Sequence, residues 1–241
     1  MLKFYSFGPA ANSLKPMIAL YEKELEFEHK QLDPRKFEHH SEWYKKINPR
    51  GQVPALEDDG RIITESTVIC EYLEDAHPTD VRLRPEDPYD IAQMRIWTKW
   101  VDEYFCWCVS TIGWHRHIGK MVQHLSEDEF EEMVSRIPVP EQQVKWRNAR
   151  AGFPQETIDE EMRKIGVSVR KLDDRLADNE WLAGGAYSLA DICNFSIANG
   201  MQNGFPEFVN AEDTPHLVRW IEAIAARPAV KRIFENVPRE F

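Results

Sequence analysis

Asn12 and Ser13 stand where the strand-like run LKFYSF breaks at Gly8 and Pro9 and the helix-like run SLKPMIALYEKE begins. An amide and a hydroxyl at a helix N-terminus bring hydrogen-bond donors and the positive end of the helix dipole to one point, a combination that stabilises an anion such as a thiolate. The same residue types also serve as a plain helix cap, the commonest use of Asn and Ser in any protein. Glu65 and Ser66 repeat the arrangement at the start of ESTVICEYLEDA. There a carboxylate beside free helix N–H groups suits a ligand carrying both an ammonium and a carboxylate, with a cap again the simpler alternative. Tyr104, Phe105, Trp107 and Trp114 crowd one later stretch. Such a cluster either binds an aryl ligand or packs a helical core.

Composition narrows the partners. The chain has 241 residues and carries 30 Lys and Arg against 41 Asp and Glu, a net charge of −11 with no basic run to offset it. Nucleic acid and anionic membranes are disfavoured. Cys70, Cys106, Cys108 and Cys193 form no C-x-x-C pair or zinc spacing, so they read as reduced thiols and no metal is expected. The N-terminus lacks a signal peptide's apolar stretch, and no run of about 18 apolar residues occurs, so the expected location is cytoplasmic.

The elements that must position these residues follow from periodicity. LKFYSF and LEFEHKQLD alternate as strands around a helical SLKPMIALYEKE, and SEWYKKI is a polar helical stretch. VPAL and RIIT flank the turn signal at Asp58–Gly60, which predicts a hairpin, and ESTVICEYLEDA follows as an amphipathic helix. The order is β-α-β-α-β-β-α. Beyond the linker HPTDVRLRPEDP strand signals vanish, and Met94, Trp97, Val101, Tyr104, Phe105, Cys108 and Ile112 keep a helical period. The stretch from Ile137 to Gln155, with its prolines, reads as a long irregular connection, and helices then resume to the end. The expected division is residues 1–80 and an all-helical 81–241.

With NPRGQVPAL, ESTVICEYLED, YSLADI and ARPAVK at fitting positions, the chain resembles the cytosolic glutathione S-transferases over nearly its whole length. More narrowly, YSFGPAANSLKP, KKINPRGQVPAL, RIWTKWVDEYFCWCVSTIGW, VPEQQVKWRNARAGFPQE and YSLADICNFSIANG resemble the LigF-type β-etherases, bacterial glutathione-dependent enzymes that cleave β-aryl ethers derived from lignin. The resemblance implies a thioredoxin-like glutathione-binding domain followed by a helical bundle that supplies the substrate pocket.

It also implies residue roles. Pro54 is expected in cis, turning the Val53 N–H and C=O outward to pair with the cysteinyl backbone of glutathione. Glu65 and Ser66 would hold the γ-glutamyl ammonium and carboxylate, and His39, His40 and Gln52 are candidates for the glycine carboxylate, a solvated histidine pair being the alternative. A free thiol has a pKa near ~8.5, so Ser13 and Asn12 would favour the thiolate, with Tyr5 a rival donor. Ser188 and Asp191 have capping-box spacing and a structural role, and His115, Arg116 and His117 read as a polar helix end. The implied reaction is attack of the glutathione thiolate on Cβ of an α-keto β-aryl ether. It gives a β-glutathionyl ketone and a methoxyphenol such as guaiacol, with inversion and a β(S) preference. A homodimer is implied as well. The alternatives are a general conjugating transferase, a zeta-like isomerase or a non-catalytic interaction module of the same fold.

Overall fold

The computed structural model describes residues 1–238. Strand β1 (Leu2–Ser6) leads into helix α1 (Ala11–Glu22), and β2 (Phe27–Gln31) returns parallel to β1, with Leu2 opposite Phe27 and Ser6 opposite Gln31. A parallel return needs a crossover, and α1 supplies it. After the short α2 (Glu42–Lys45), strands β3 (Ala55–Asp58) and β4 (Arg61–Thr64) form the expected hairpin, its turn residues Asp59 and Gly60 both at positive φ. The sheet order is β2-β1-β3-β4, and α3 (Ser66–Ala76) closes this half.

Alternation along β1 sends side chains to two faces. Leu2 and Phe4, with Leu56 of β3, join the main core against Leu14, Met17 and Ile18 of α1 and Ile69 of α3. Tyr5 faces the other way, into a small cluster with Leu32, Tyr44 and Ala55. Its hydroxyl donates to Glu57 Oε2 at 2.9 Å, and burial, aided by Glu57, pushes its pKa up to about 12. Tyr5 is thus a packed strand residue already committed to a carboxylate.

The second half opens with a continuous helical rod. It comprises α4 (Pro88–Trp100), α5 (Cys106–Gly113) and α6 (Gly119–Met121), joined by π-helical turns at Val101–Phe105 and Trp114–Ile118. His115, Arg116 and His117 therefore lie in a π turn inside the rod, which corrects their reading as a helix end. Arg116 donates to the Gly204 carbonyl at 2.6 Å and covers the Phe205 ring. Then come α7 (Glu127–Ser135), α8 (Pro140–Ala151), α9 (Gln155–Ala177), α10 (Leu189–Ala198), α11 (Met201–Gly204), α12 (Pro215–Ala225) and α13 (Pro228–Asn236).

Helix α8 overturns the expected irregular connection. Pro140 occupies the first helical turn, where its missing N–H costs nothing, and Gly152 ends the helix at φ +92. The backbone packs closely on α6, since a Cβ at Gly119 would sit 2.0 Å from the Ala149 carbonyl oxygen. Only glycine lets α8 approach so near.

One apolar cluster runs through both halves, from Phe4 and Leu14 to Phe195, Trp220 and Ile233. Two polar anchors are buried within it. Asp191 accepts from Trp220 Nε1 at 2.9 Å and from the N–H groups of Leu182 and Ser188, completing the capping box that starts α10. Lys15 of α1, fully buried, pairs with Asp102 in the first π turn at 2.5 Å, and Asp102 also accepts from Thr67 of α3 at 2.6 Å. Among the described residues no helix is long and apolar enough to cross a membrane.

Candidate active site

The N-terminus of α1 carries no side-chain cap. Its N-cap is Ala10, and Asn12 and Ser13 lie inside the first turn, which removes the capping alternative for both. Ala11 enters the helix at φ +42, a left-handed conformation that β-carbon residues adopt at a cost and that recurs at functional sites. Ser13 is 3% exposed and its N–H bonds the Ala10 carbonyl at 3.0 Å, yet among the described residues its hydroxyl has no partner. Asn12 Oδ1 accepts from the Cys106 thiol at 3.7 Å, which leaves Nδ2 as the free donor. Burial pushes the Cys106 thiol up, so it stays a neutral donor.

The Val53–Pro54 bond is cis, as expected. No described residue hydrogen-bonds the Val53 backbone, whereas the neighbouring Gln52 carbonyl is held by Tyr44 Oη at 2.8 Å and Asn48 Nδ2 at 2.7 Å. A rigid loop thus presents an unpaired N–H and C=O, the pattern an extended peptide can complete. The Gln52 side chain is half-buried and its Oε1 accepts from Arg50 Nε at 3.3 Å.

Glu65 precedes α3 at φ +66, another left-handed non-glycine residue, with its carboxylate exposed and unpartnered. Ser66 is buried at the first position of α3, and its hydroxyl is free of protein partners among the described residues. An anion acceptor and an acidic ammonium acceptor therefore sit side by side on a strained turn.

His39 and His40 are buried, which removes the alternative of a solvated pair. Their ring centroids are 3.9 Å apart, and neither Nδ1 atom has a partner. Burial holds both neutral, His39 at about 3 and His40 at about 4, with His40 and Lys45 respectively adding to the shift. Gly51 at φ +61 is required beside them, since a Cβ there would meet His40 Nδ1 at 2.5 Å. Two buried imidazole nitrogens thus lack a hydrogen-bond partner among the described residues, an arrangement uncommon in protein interiors.

The aromatic stretch divides. Phe105 is fully buried and stacks on Trp100 at 5.3 Å between centroids, so it belongs to the core and lines no pocket. Tyr104 stacks on Trp100 with 6.4 Å between centroids. Trp107 is 55% exposed and Trp114 half-buried. These two share the Lys145 ammonium of α8, which lies 5.4 and 4.7 Å from their centroids. Trp146 then links Trp114, 4.8 Å away, to Phe37, 5.4 Å away, and Phe37 stacks on both histidines. Helix α8 so bridges the two halves across the site. Lys145 and Trp146 were missed because Ile137–Gln155 read as an irregular connection, and Ser110 and Phe37 because nothing local sets them apart. The Lys145–Trp146 pair inside a proline-started helix was the available signal.

No set of described His, Cys, Asp or Glu side chains is grouped to hold a metal ion. A separate polar cavity of about 400 Å³, lined by Lys23, Glu74, Arg82, Arg84 and Glu86 among others, includes none of the candidate residues.

Residues 1–75 match the model of the glutathione S-transferase N-terminal domain and residues 121–228 that of the C-terminal domain. The chain is 61% identical to Protein LigF of Sphingobium sp. strain NBRC 103272 / SYK-6, over 99% of this chain and 95% of that protein. The crystal structure of beta-etherase LigF from Sphingobium sp. strain SYK-6 superposes with a TM-score of 0.95, covering 97% of this chain and 98% of the other. Glutathione transferase F7 of Populus trichocarpa is 26% identical, with a TM-score of 0.76 and coverage of 98% on both sides. Over 91 residues, 38% of this chain and 42% of the other, it is 43% identical to a probable maleylacetoacetate isomerase of Caenorhabditis elegans. With family models matched in both halves and 61% identity to LigF over nearly the full length, the chain belongs to the glutathione S-transferase family.

Proposed function

We propose that this protein is a glutathione-dependent β-etherase that cleaves α-keto β-aryl ethers of lignin-derived compounds. The observation that carries the reading is its near full-length likeness to beta-etherase LigF. In this reading the residues up to about 80 bind glutathione and the helical remainder takes the aryl ether. Val53 pairs with the cysteinyl backbone, Glu65 and Ser66 take the γ-glutamyl zwitterion, and His39, His40 and Gln52 face the glycine carboxylate. Ser13 donates its hydroxyl, and Asn12 its amide, to the thiolate. The thiolate displaces the aryloxide from Cβ in line, with inversion and preference for the β(S) ether, and the adjacent carbonyl activates the carbon. Trp107 and Trp114 stack the aryl rings. The protein's share of the catalysis is thiolate stabilisation, orientation and exclusion of water.

The test is release of methoxyphenol from a racemic β-aryl ether ketone in the presence of glutathione. Phenol should appear one for one with glutathione spent and stop when one enantiomer is exhausted. Absence of phenol, with glutathione still bound, would leave a general transferase; isomerisation of a dienone acid would favour the activity named for the Caenorhabditis relative, which is similar only in part.

A cytoplasmic two-fold homodimer completes the proposal. Val68 and Ile96 are more than half exposed on α3 and α4, with the Arg95–Glu71 pair at 2.6 Å between those helices, so an apolar patch with a polar rim is available for a second copy. Light scattering at micromolar concentration should report twice the 28.2 kDa chain mass. A monomer there would remove this part.

A further inference from the structure

Lys145 is a half-buried cation with no carboxylate paired to it among the described residues. Its ammonium lies 3.0 Å from Ser110 Oγ and over the faces of Trp107 and Trp114, and among the described residues no carboxylate comes within ion-pairing distance. The two fully buried lysines among the described residues each have such a partner, Lys15 in Asp102 and Lys23 in Glu74. An unpaired charge is expensive to bury, and a protein that keeps one positions it for something that arrives with negative charge.

In the reaction proposed above, negative charge develops on the departing oxygen. Sulfur approaches from the α1 side, where Ser13 and Asn12 stand, and in-line displacement sends the departing oxygen to the opposite side of Cβ. Lys145 belongs to the helical half, on the aromatic pair that would stack the departing ring. We infer that Lys145 is a further catalytic residue for the reaction proposed above, donating a proton from Nζ to the aryloxide oxygen as the Cβ–O bond breaks.

The step balances. The S–Cβ bond forms with the sulfur lone pair, the Cβ–O electron pair passes to oxygen, the Nζ proton converts aryloxide to phenol, and the neutral amine regains a proton from water. Burial brings the Lys145 ammonium down to about 8, with the nearby Cys106 pulling weakly the other way, so it gives up a proton far more readily than an ordinary lysine.

The inference rests on the β-etherase reading, so the test separates the two. Turnover is measured for two β-aryl ether ketones, one releasing a methoxyphenol and one releasing the much more acidic 4-nitrophenol, alongside calorimetric glutathione affinity. Lys145→Met should lose roughly 100-fold in kcat on the methoxyphenol ether, the scale of general-acid catalysis, while keeping the nitrophenol ether, whose leaving group departs unaided, within about threefold. Glutathione affinity should not move. If Lys145→Met does not fold, Lys145→Gln, which keeps a hydrogen bond to Ser110, replaces it and should show the same selectivity. An equal loss on both ethers, or no loss on either, overturns the inference while leaving the β-etherase reading intact. Wild-type protein that binds glutathione but releases neither phenol overturns both.

Discussion

Replacing Asn12 and Ser13 together by Ala is expected to lower kcat/KM for the aryl ether by about 100- to 1000-fold, against about tenfold for either change alone. Each side chain offers one neutral donor to the thiolate, worth on the order of 1 to 3 kcal/mol, and the two share one task, so the single changes leave a partner in place. The α1 dipole and its N–H groups survive both substitutions and set the residual rate. Stability should scarcely change, because neither residue caps the helix and the Ser13 hydroxyl holds no protein partner. The check is phenol release at saturating and limiting ether, with urea unfolding run in parallel. A double variant that matches wild type would clear both residues of the chemistry. Tyr5 could not inherit the role, since it lies on the opposite face of β1 and its hydroxyl is held by Glu57.

Glu65 offers the second large effect. Glu65→Ala should weaken glutathione binding by about 1.5 to 3 kcal/mol, the scale of a hydrogen bond to a charged group, because the ligand ammonium loses its carboxylate. Glu65→Gly should lose the same affinity while unfolding at equal or higher denaturant concentration. At φ +66 a glycine relieves strain of about 1 to 3 kcal/mol, which is set against the extra freedom it gives the unfolded chain. Affinity and stability then move independently, the mark of strain kept for function. Calorimetry on both variants decides it, and an unchanged dissociation constant for Glu65→Ala would remove the residue from the site.

Local pattern carried the glutathione half well. Alternation in LKFYSF, the Asp-Gly turn and the helical period of ESTVICEYLEDA are each written within about a dozen residues, and each element formed where the pattern put it. The aromatic half was less legible. Phe105 stood as a pocket candidate because it lies among Tyr104, Trp107 and Trp114, whereas its helical spacing with Val101, Cys108 and Ile112 carries it into the core, where it packs on Trp100. Helix α8 was hidden by Pro138 and Pro140, read as breakers although Pro140 starts the helix. The adjacent Lys145–Trp146 pair was the only local sign of Lys145, since Ser110, Trp107 and Trp114 meet it through tertiary packing. The histidine pair was visible, but its burial depends on Phe7, Phe37 and Gly51 closing around it.

The Lys15–Asp102–Thr67 contact bears on how such proteins can be recombined. Retuning substrate choice by grafting a foreign helical half onto this glutathione half is an obvious engineering route, and the seam would run close to Asp102. A donor lacking a carboxylate at that position leaves the fully buried Lys15 ammonium stranded, a defect costing about 3 to 5 kcal/mol, comparable to much of a domain's net stability. The compatible crossover therefore either carries Asp102 along or replaces Lys15 by an apolar residue of similar volume in the same step.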